Sequence, residues 1–179
     1  MIRAGISGTN WTGKSCAIDQ FVQRHANVKV NRVTLSEIAR DCPWPMVEEQ
    51  TLDASRWMVN QVRRMVTKPL EAHIQLFDRT PLDILAFTLF AQERAGVQDD
   101  DGVVAKVLEL IDDFDYIFFA SVTDEWPPKG VETPPLKRAF ALLMDRYMQH
   151  ATCEYRLNTI ALPWDHEKRQ GILTNHLCR

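Results

Sequence analysis

Residues 8 to 15 read GTNWTGKS, and four of them, Gly8, Gly13, Lys14 and Ser15, stand at the G-x-x-x-x-G-K-[ST] spacing of a phosphate-binding loop. Chance alone would place this pattern in fewer than about one in 50 sequences of this length. Glycines let the backbone turn its N–H groups inward around a phosphate, and the following helix adds favourable potential at its N-terminus. Lys14 is then expected to reach β- and γ-phosphates, and the Ser15 hydroxyl to ligate Mg²⁺. The stretch expected to touch nucleotide is Gly8, Thr9, Asn10, Trp11, Thr12, Gly13, Lys14, Ser15 and Cys16. Trp11 is unexpected in a loop that wraps closely around phosphates. Its side chain could stack on an acceptor base, exclude water, or pack beneath a neighbouring loop.

A second cluster, FDRTPLD at residues 77 to 83, ends an apolar run. Asp78 could hold Mg²⁺ or accept the proton of an attacking hydroxyl, and Arg79 offers a planar fork to a phosphate or to the substrate. The alternative reading is that Asp78 and Asp83 cap the helix that follows, a role aspartate favours. A third feature is the proline-rich loop from Asp124 to Pro135, long enough to be a lid, with Lys129, Lys137 and Arg138 as cations it could carry to a phosphoryl group. Arg56, Arg63 and Arg64 could greet an anionic acceptor or form a solvated helix face. The five histidines show no metal-binding spacing, and the four cysteines form no C-x-x-C pair, which reads as reduced thiols.

Strands and helices must position these groups. IRAGIS, VKVNRVTL, HIQLFD, YIFFASV and NTIALP read as strands. Helices are expected from Gly13, with Ile18, Phe21 and Val22 at helical spacing, and over Val47 to Val66, with Leu52, Val59, Val62 and Val66. Others follow at LDILAFTLFAQE, at VVAKVLELI, after the proline-rich loop with Phe140, Leu143 and Tyr147 on one face, and from Asp165 to the end. Strict alternation of strand and helix predicts an open parallel α/β sheet covered on both faces, with ligands at the carboxyl ends of its strands.

The 179 residues are expected to form a single domain, and 45% hydrophobic with 25% charged residues suits a soluble protein with one core. A net charge of −3 supplies no bulk attraction to nucleic acid or to anionic membrane. MIRAGISG runs straight into the first strand, so no leader is expected, and ILAFTLFA is far short of the roughly 20 residues a membrane span needs. The expected setting is the cytoplasm.

GTNWTGKS, the Asp78-Arg79 pair ending the third strand, and the long loop after the fourth resemble the P-loop nucleoside and nucleotide kinases. The likeness is closest to thymidylate kinases, and it is also similar to the AAA-type ATPase/kinase family related to nicotinamide riboside kinases. It implies a three-layer fold of five parallel strands flanked by helices, with a lid at about 122–137, and transfer of the γ-phosphoryl of ATP to a small acceptor with Mg²⁺. Lys14, Asp78 and Arg79 would be catalytic, with Ser15 and Asp78 on the metal. Asn10, Trp11, Arg79 and Asp83 would meet the acceptor, with Arg56, Lys129 and Arg138 as further cations. Asn10 stands where thymidylate kinases hold an aspartate that contacts the acceptor sugar, and Trp11 where some hold an arginine facing the γ-phosphate. The chain departs from the pattern in lacking that arginine, so the resemblance asks the lid to supply the charge; Val131 and Glu132 leave Lys129 or Arg138 to do so. Other readings are a kinase acting on a hydroxymethylated pyrimidine such as 5-hydroxymethyluracil within DNA, which would need a basic channel beside the loop, and an ATP-binding module or NTPase without acceptor. A GTPase switch would carry Asn-Lys-x-Asp, which is missing, and a motor usually has Asp-Glu where this chain has Asp78-Arg79.

Overall fold

In the computed structural model, which describes residues 1–97 and 102–178, the strands are β1 (Ile2–Ser7), β2 (Val30–Thr34), β3 (Ile74–Asp78), β4 (Tyr116–Phe119) and β5 (Thr159–Ala161). They form one parallel sheet in the order β2-β3-β1-β4-β5. Between them run α1 (Lys14–Arg24), α2 (Leu35–Ile38), α3 (Leu52–Thr67), α4 (Pro81–Ala95), α5 (Val103–Asp112), α6 (Pro135–Glu154) and α7 (His166–Leu177). Because side chains alternate across a strand, β2, β3 and β4 feed two cores, whereas β1 and β5 feed one. Ala4, Ile6, Ile74, Leu76 and Phe118 pack with α1 and α7, whereas Phe77, Ile117 and Phe119 pack with α3 to α6. Each fully buried Leu, Ile or Phe contributes about 2 kcal/mol by leaving water. The expected three-layer architecture is therefore present.

Several expected boundaries and faces shift. VKVNRVTL holds a strand only to Thr34, after which Leu35 opens α2. The helix expected from Val47 starts at Leu52, where the Thr51 side chain accepts from Ala54 N; Val47–Glu49 is a separate 3₁₀ turn. Val22 is exposed, since α1 buries Ala17, Ile18 and Phe21 instead. Leu143 is exposed as well: α6 is seated through Ala141, Met144, Met148 and Ala151, with Phe140 and Tyr147 at the edge against Phe87 and Phe90. These misassignments share a cause. Helical spacing names several overlapping stripes, and packing selects the one whose small and flexible side chains let the helix approach.

The chain leaves β1 for β2 and β3 on one side, then crosses to β4 and β5 on the other. Ligands of open α/β sheets bind at such a reversal, outside the carboxyl ends of the strands. Gly5 keeps this end tight, because a Cβ there would lie 2.6 Å from Thr80 Cγ2. Two residues on, the Ser7 and Thr80 hydroxyls share a buried 2.5 Å hydrogen bond, tying the end of β1 to the turn after β3. No helix of the described residues is long and apolar enough to cross a membrane.

Candidate active site

The loop from Gly8 to Gly13 folds on itself. Gly8 (φ 145°) and Gly13 (φ 77°) take backbone angles that side chains rarely allow, and a Cβ on Gly8 would collide with the Ala120 carbonyl. Thr12 Oγ1 donates to Thr9 O at 2.9 Å, and Lys14 Nζ donates to the same carbonyl at 2.7 Å. No side chain caps α1, and no acidic residue stands in its first turn. Its N–H groups and positive dipole end are thus left for an anion.

Lys14 is 6% exposed, and burial, aided by the nearby Arg79 guanidinium, pulls its pKa from 10.5 down to about 7. The depressed value has a sign that can be tested. Between pH 7 and 10.5 the unfolded chain holds a proton here that the folded chain lacks, so this group's contribution to stability rises with pH through that window. A bound polyphosphate favours the ammonium, so nucleotide binding takes up a proton, and affinity should fall up to about tenfold per pH unit above 7. Titration calorimetry at about pH 8.5, in buffers of different ionisation heat, should read uptake of roughly one proton. Lys14→Met should read none.

Parallel register sets Asp78 opposite Ile6, beside the loop. Its carboxylate is 5% exposed and accepts from Ser15 Oγ at 2.5 Å, so the two expected metal ligands are in direct contact. Arg32, which the sequence reading passed over, places Nη2 3.7 Å from the same oxygen and pairs with Asp19 on α1. Asp78 does not cap α4. That role falls to Thr80 and Asp83, which form a capping box in which Asp83 Oδ2 accepts from Thr80 N at 2.9 Å.

Arg79 sits at φ 71°, a strained angle for a non-glycine residue of the kind that collects at functional sites. Its N–H donates to Ile6 O at 3.0 Å. Its guanidinium donates to Asp83 Oδ1 at 3.0 Å and to Asn10 Oδ1 at 2.7 Å. Beside it opens a cavity of about 270 Å³ between α2, the Val47–Glu49 turn, α3, α4 and α6. Leu35, Ala39, Met46, Val47, Met58, Ile84, Phe87, Phe140, Ala141 and Met144 make most of its wall; Thr9, Asn10, Ser36, Gln50, Arg79 and Asp83 supply the polar part. A DNA substrate would call for a basic channel here, and the wall is mainly apolar.

The proline-rich loop folds down on the phosphate-binding loop. Trp126, 5% exposed, donates from Nε1 to Asn10 O at 2.9 Å, and its ring lies 6.2 Å from that of Trp11. Trp11 therefore packs beneath this lid and does not line the cavity. Among the expected lid cations, Arg138 stands 5.9 Å from the Trp126 ring centroid and Lys129 is exposed. Arg56 pairs with Asp53 at 2.6 Å and Arg63 with Glu109 at 2.7 Å, outside the cavity wall. Cys16 is exposed on the first turn of α1.

A further basic residue belongs to this region. Arg169 of α7, 2% exposed, donates from Nη1 to Thr12 O at 2.7 Å and from Nε to Pro163 O, and lies over the Trp164 ring. It braces the phosphate-binding loop from behind. Nothing in DHEKRQ distinguishes it from a solvated helix face, because its partners are backbone carbonyls, one of them 157 positions away.

No family model and no curated protein sequence matches the chain. Solved structures do match over nearly its whole length. One is a deoxyadenosine kinase from M. mycoides with bound dATP (TM-score 0.63, 14% identity, all of both chains). Another is a thymidylate kinase from Ehrlichia chaffeensis (0.64, 13%, 96% of this chain and 98% of that one). A third is the NadR protein in complex with NR (0.68, 13%, 99% of this chain and 52% of that one). At such identities the likeness is one of fold: the chain has the three-layer fold of the P-loop nucleoside and nucleotide kinases.

Proposed function

We propose that this chain is an ATP- and Mg²⁺-dependent phosphotransferase that moves the γ-phosphoryl of ATP to a nucleoside, nucleotide or analogue seated in the cavity beside Arg79. The observation that carries the reading is a junction. Thr9, Asn10 and Arg79 belong at once to the phosphate-binding end of the sheet and to the cavity wall, so a polyphosphate on the loop and an acceptor in the cavity would meet there. The structures it resembles include one holding dATP and one holding NR, which supports an acceptor of nucleoside type.

Mg²⁺ fits the donors present. Ser15 Oγ and the Asp78 carboxylate are hard oxygen ligands in contact, and Mg²⁺ typically takes one or two protein oxygens, with phosphates and waters completing its shell. Held there, it would neutralise charge on the transferring phosphoryl. Lys14 would meet the β- and γ-phosphates, exchanging its bond to Thr9 O for them. Asp78 would hold the metal or take the hydroxyl proton, and Arg79, fixed by Asp83 and Asn10, would orient the acceptor's reacting end. The lid, pinned through Trp126, would exclude water that otherwise competes as acceptor. Residues 1–179 would act as one catalytic unit, and the four free cysteines go with a cytoplasmic setting.

A transfer assay with γ-labelled ATP tests the reading against nucleosides, their monophosphates, nicotinamide riboside, and duplex DNA with and without hydroxymethyluracil. Label is expected to move to at least one small acceptor and to stop moving when Mg²⁺ is chelated. Label reaching none of them would remove the reading.

A further inference from the structure

We infer that the acceptor in this cavity carries no phosphate of its own: it is an alcohol of nucleoside type, not a nucleotide. The inference rests on the phosphotransferase reading above and narrows its substrate class.

The charge around the cavity decides it. Of the described side chains in its wall, two are charged, Arg79 and Asp83, and they face each other at 3.0 Å, so their formal charges cancel. A phosphomonoester brings about −1.5 to −2 charges at neutral pH. To receive it, Arg79 would have to divide one positive charge between the phosphate and Asp83, whose other oxygen caps α4 at Thr80 N. That would set a dianion beside a buried carboxylate with a single cation between them, which is costly in a poorly hydrated site.

Among the described residues, no cation besides Arg79 lines the cavity wall. Arg56 turns to Asp53, Arg138 lies against Trp126, and Lys129 is exposed on the lid. Lys14 binds Thr9 O on the loop side, where the phosphates of ATP would claim it. The remaining wall is largely apolar and suits a flat ring and a sugar, whereas it cannot replace the water around a dianion. An uncharged acceptor needs only that Arg79 and Asp83 stay paired and present their remaining hydrogen-bonding capacity to a hydroxyl.

The test compares each common nucleoside with its own 5′-monophosphate by calorimetry, using wild-type protein whose loop is first filled with Mg²⁺ and the β,γ-imido analogue of ATP. Neither ligand can then bind by occupying the phosphate site. At least one nucleoside is expected to bind, with its monophosphate roughly 100-fold weaker or worse. A monophosphate binding as tightly as its nucleoside, or no binding by any member of either set, would overturn the inference. The two readings separate cleanly. Nucleoside-selective binding without any phosphoryl transfer would defeat the phosphotransferase reading and sustain this one, and transfer preferring monophosphates would do the reverse.

Discussion

Lys14→Met is expected to lower the rate of phosphoryl transfer by roughly 100- to 1,000-fold while leaving thermal stability unchanged or raised. The two halves of this result come from the same burial. Buried and close to Arg79, the Lys14 side chain holds its ammonium poorly, so the folded protein gains little from it while no anion is bound. Thr9 O, which accepts from it, keeps the Thr12 hydroxyl when the amine is gone. The charge becomes favourable only beside a polyphosphate, and it matters most when negative charge spreads over the transferring group. Steady-state kinetics and scanning calorimetry on the variant check both parts. Full activity would take the phosphate-binding loop out of the mechanism, and a large fall in melting temperature with little loss of rate would make Lys14 a structural residue.

Asp78→Asn should have the next largest effect, a fall in kcat of about 100- to 10,000-fold with ATP affinity largely kept. The amide is isosteric and retains an oxygen for Ser15 Oγ, so the loop's geometry should persist. What disappears is the negative charge, which a metal or a departing proton requires. Because Thr80 and Asp83 cap α4, the substitution should move stability little. Loss of stability with normal turnover would return Asp78 to a purely architectural role.

Much of this arrangement could be read along the chain. A loop motif between a strand and a helix, and an acidic residue closing the third strand, are short-range patterns whose meaning survives folding. The order of strands and helices was legible for the same reason. Residues that act across the chain were not. Arg169 meets Thr12 from α7, Trp126 meets Asn10 from the lid, and Gln50 and Met144 meet in one cavity wall from distant segments. Lys129 and Arg56 differ again, as charges of suitable chemistry that stand outside the cavity wall. Trp11 stands between these cases. Its presence in the loop raised the question, and only its 6.2 Å packing on Trp126 answers it: the bulky ring anchors the lid, while backbone N–H groups are left to face the phosphates.

The most direct measurement of the central claim is a ³¹P NMR time course of the protein with ATP, Mg²⁺ and a panel of nucleosides. The account predicts that the γ-phosphate signal of ATP declines as ADP and a new phosphomonoester signal rise one for one. Release of the γ-phosphate as inorganic phosphate, or an unchanged ATP spectrum with every acceptor, would contradict it.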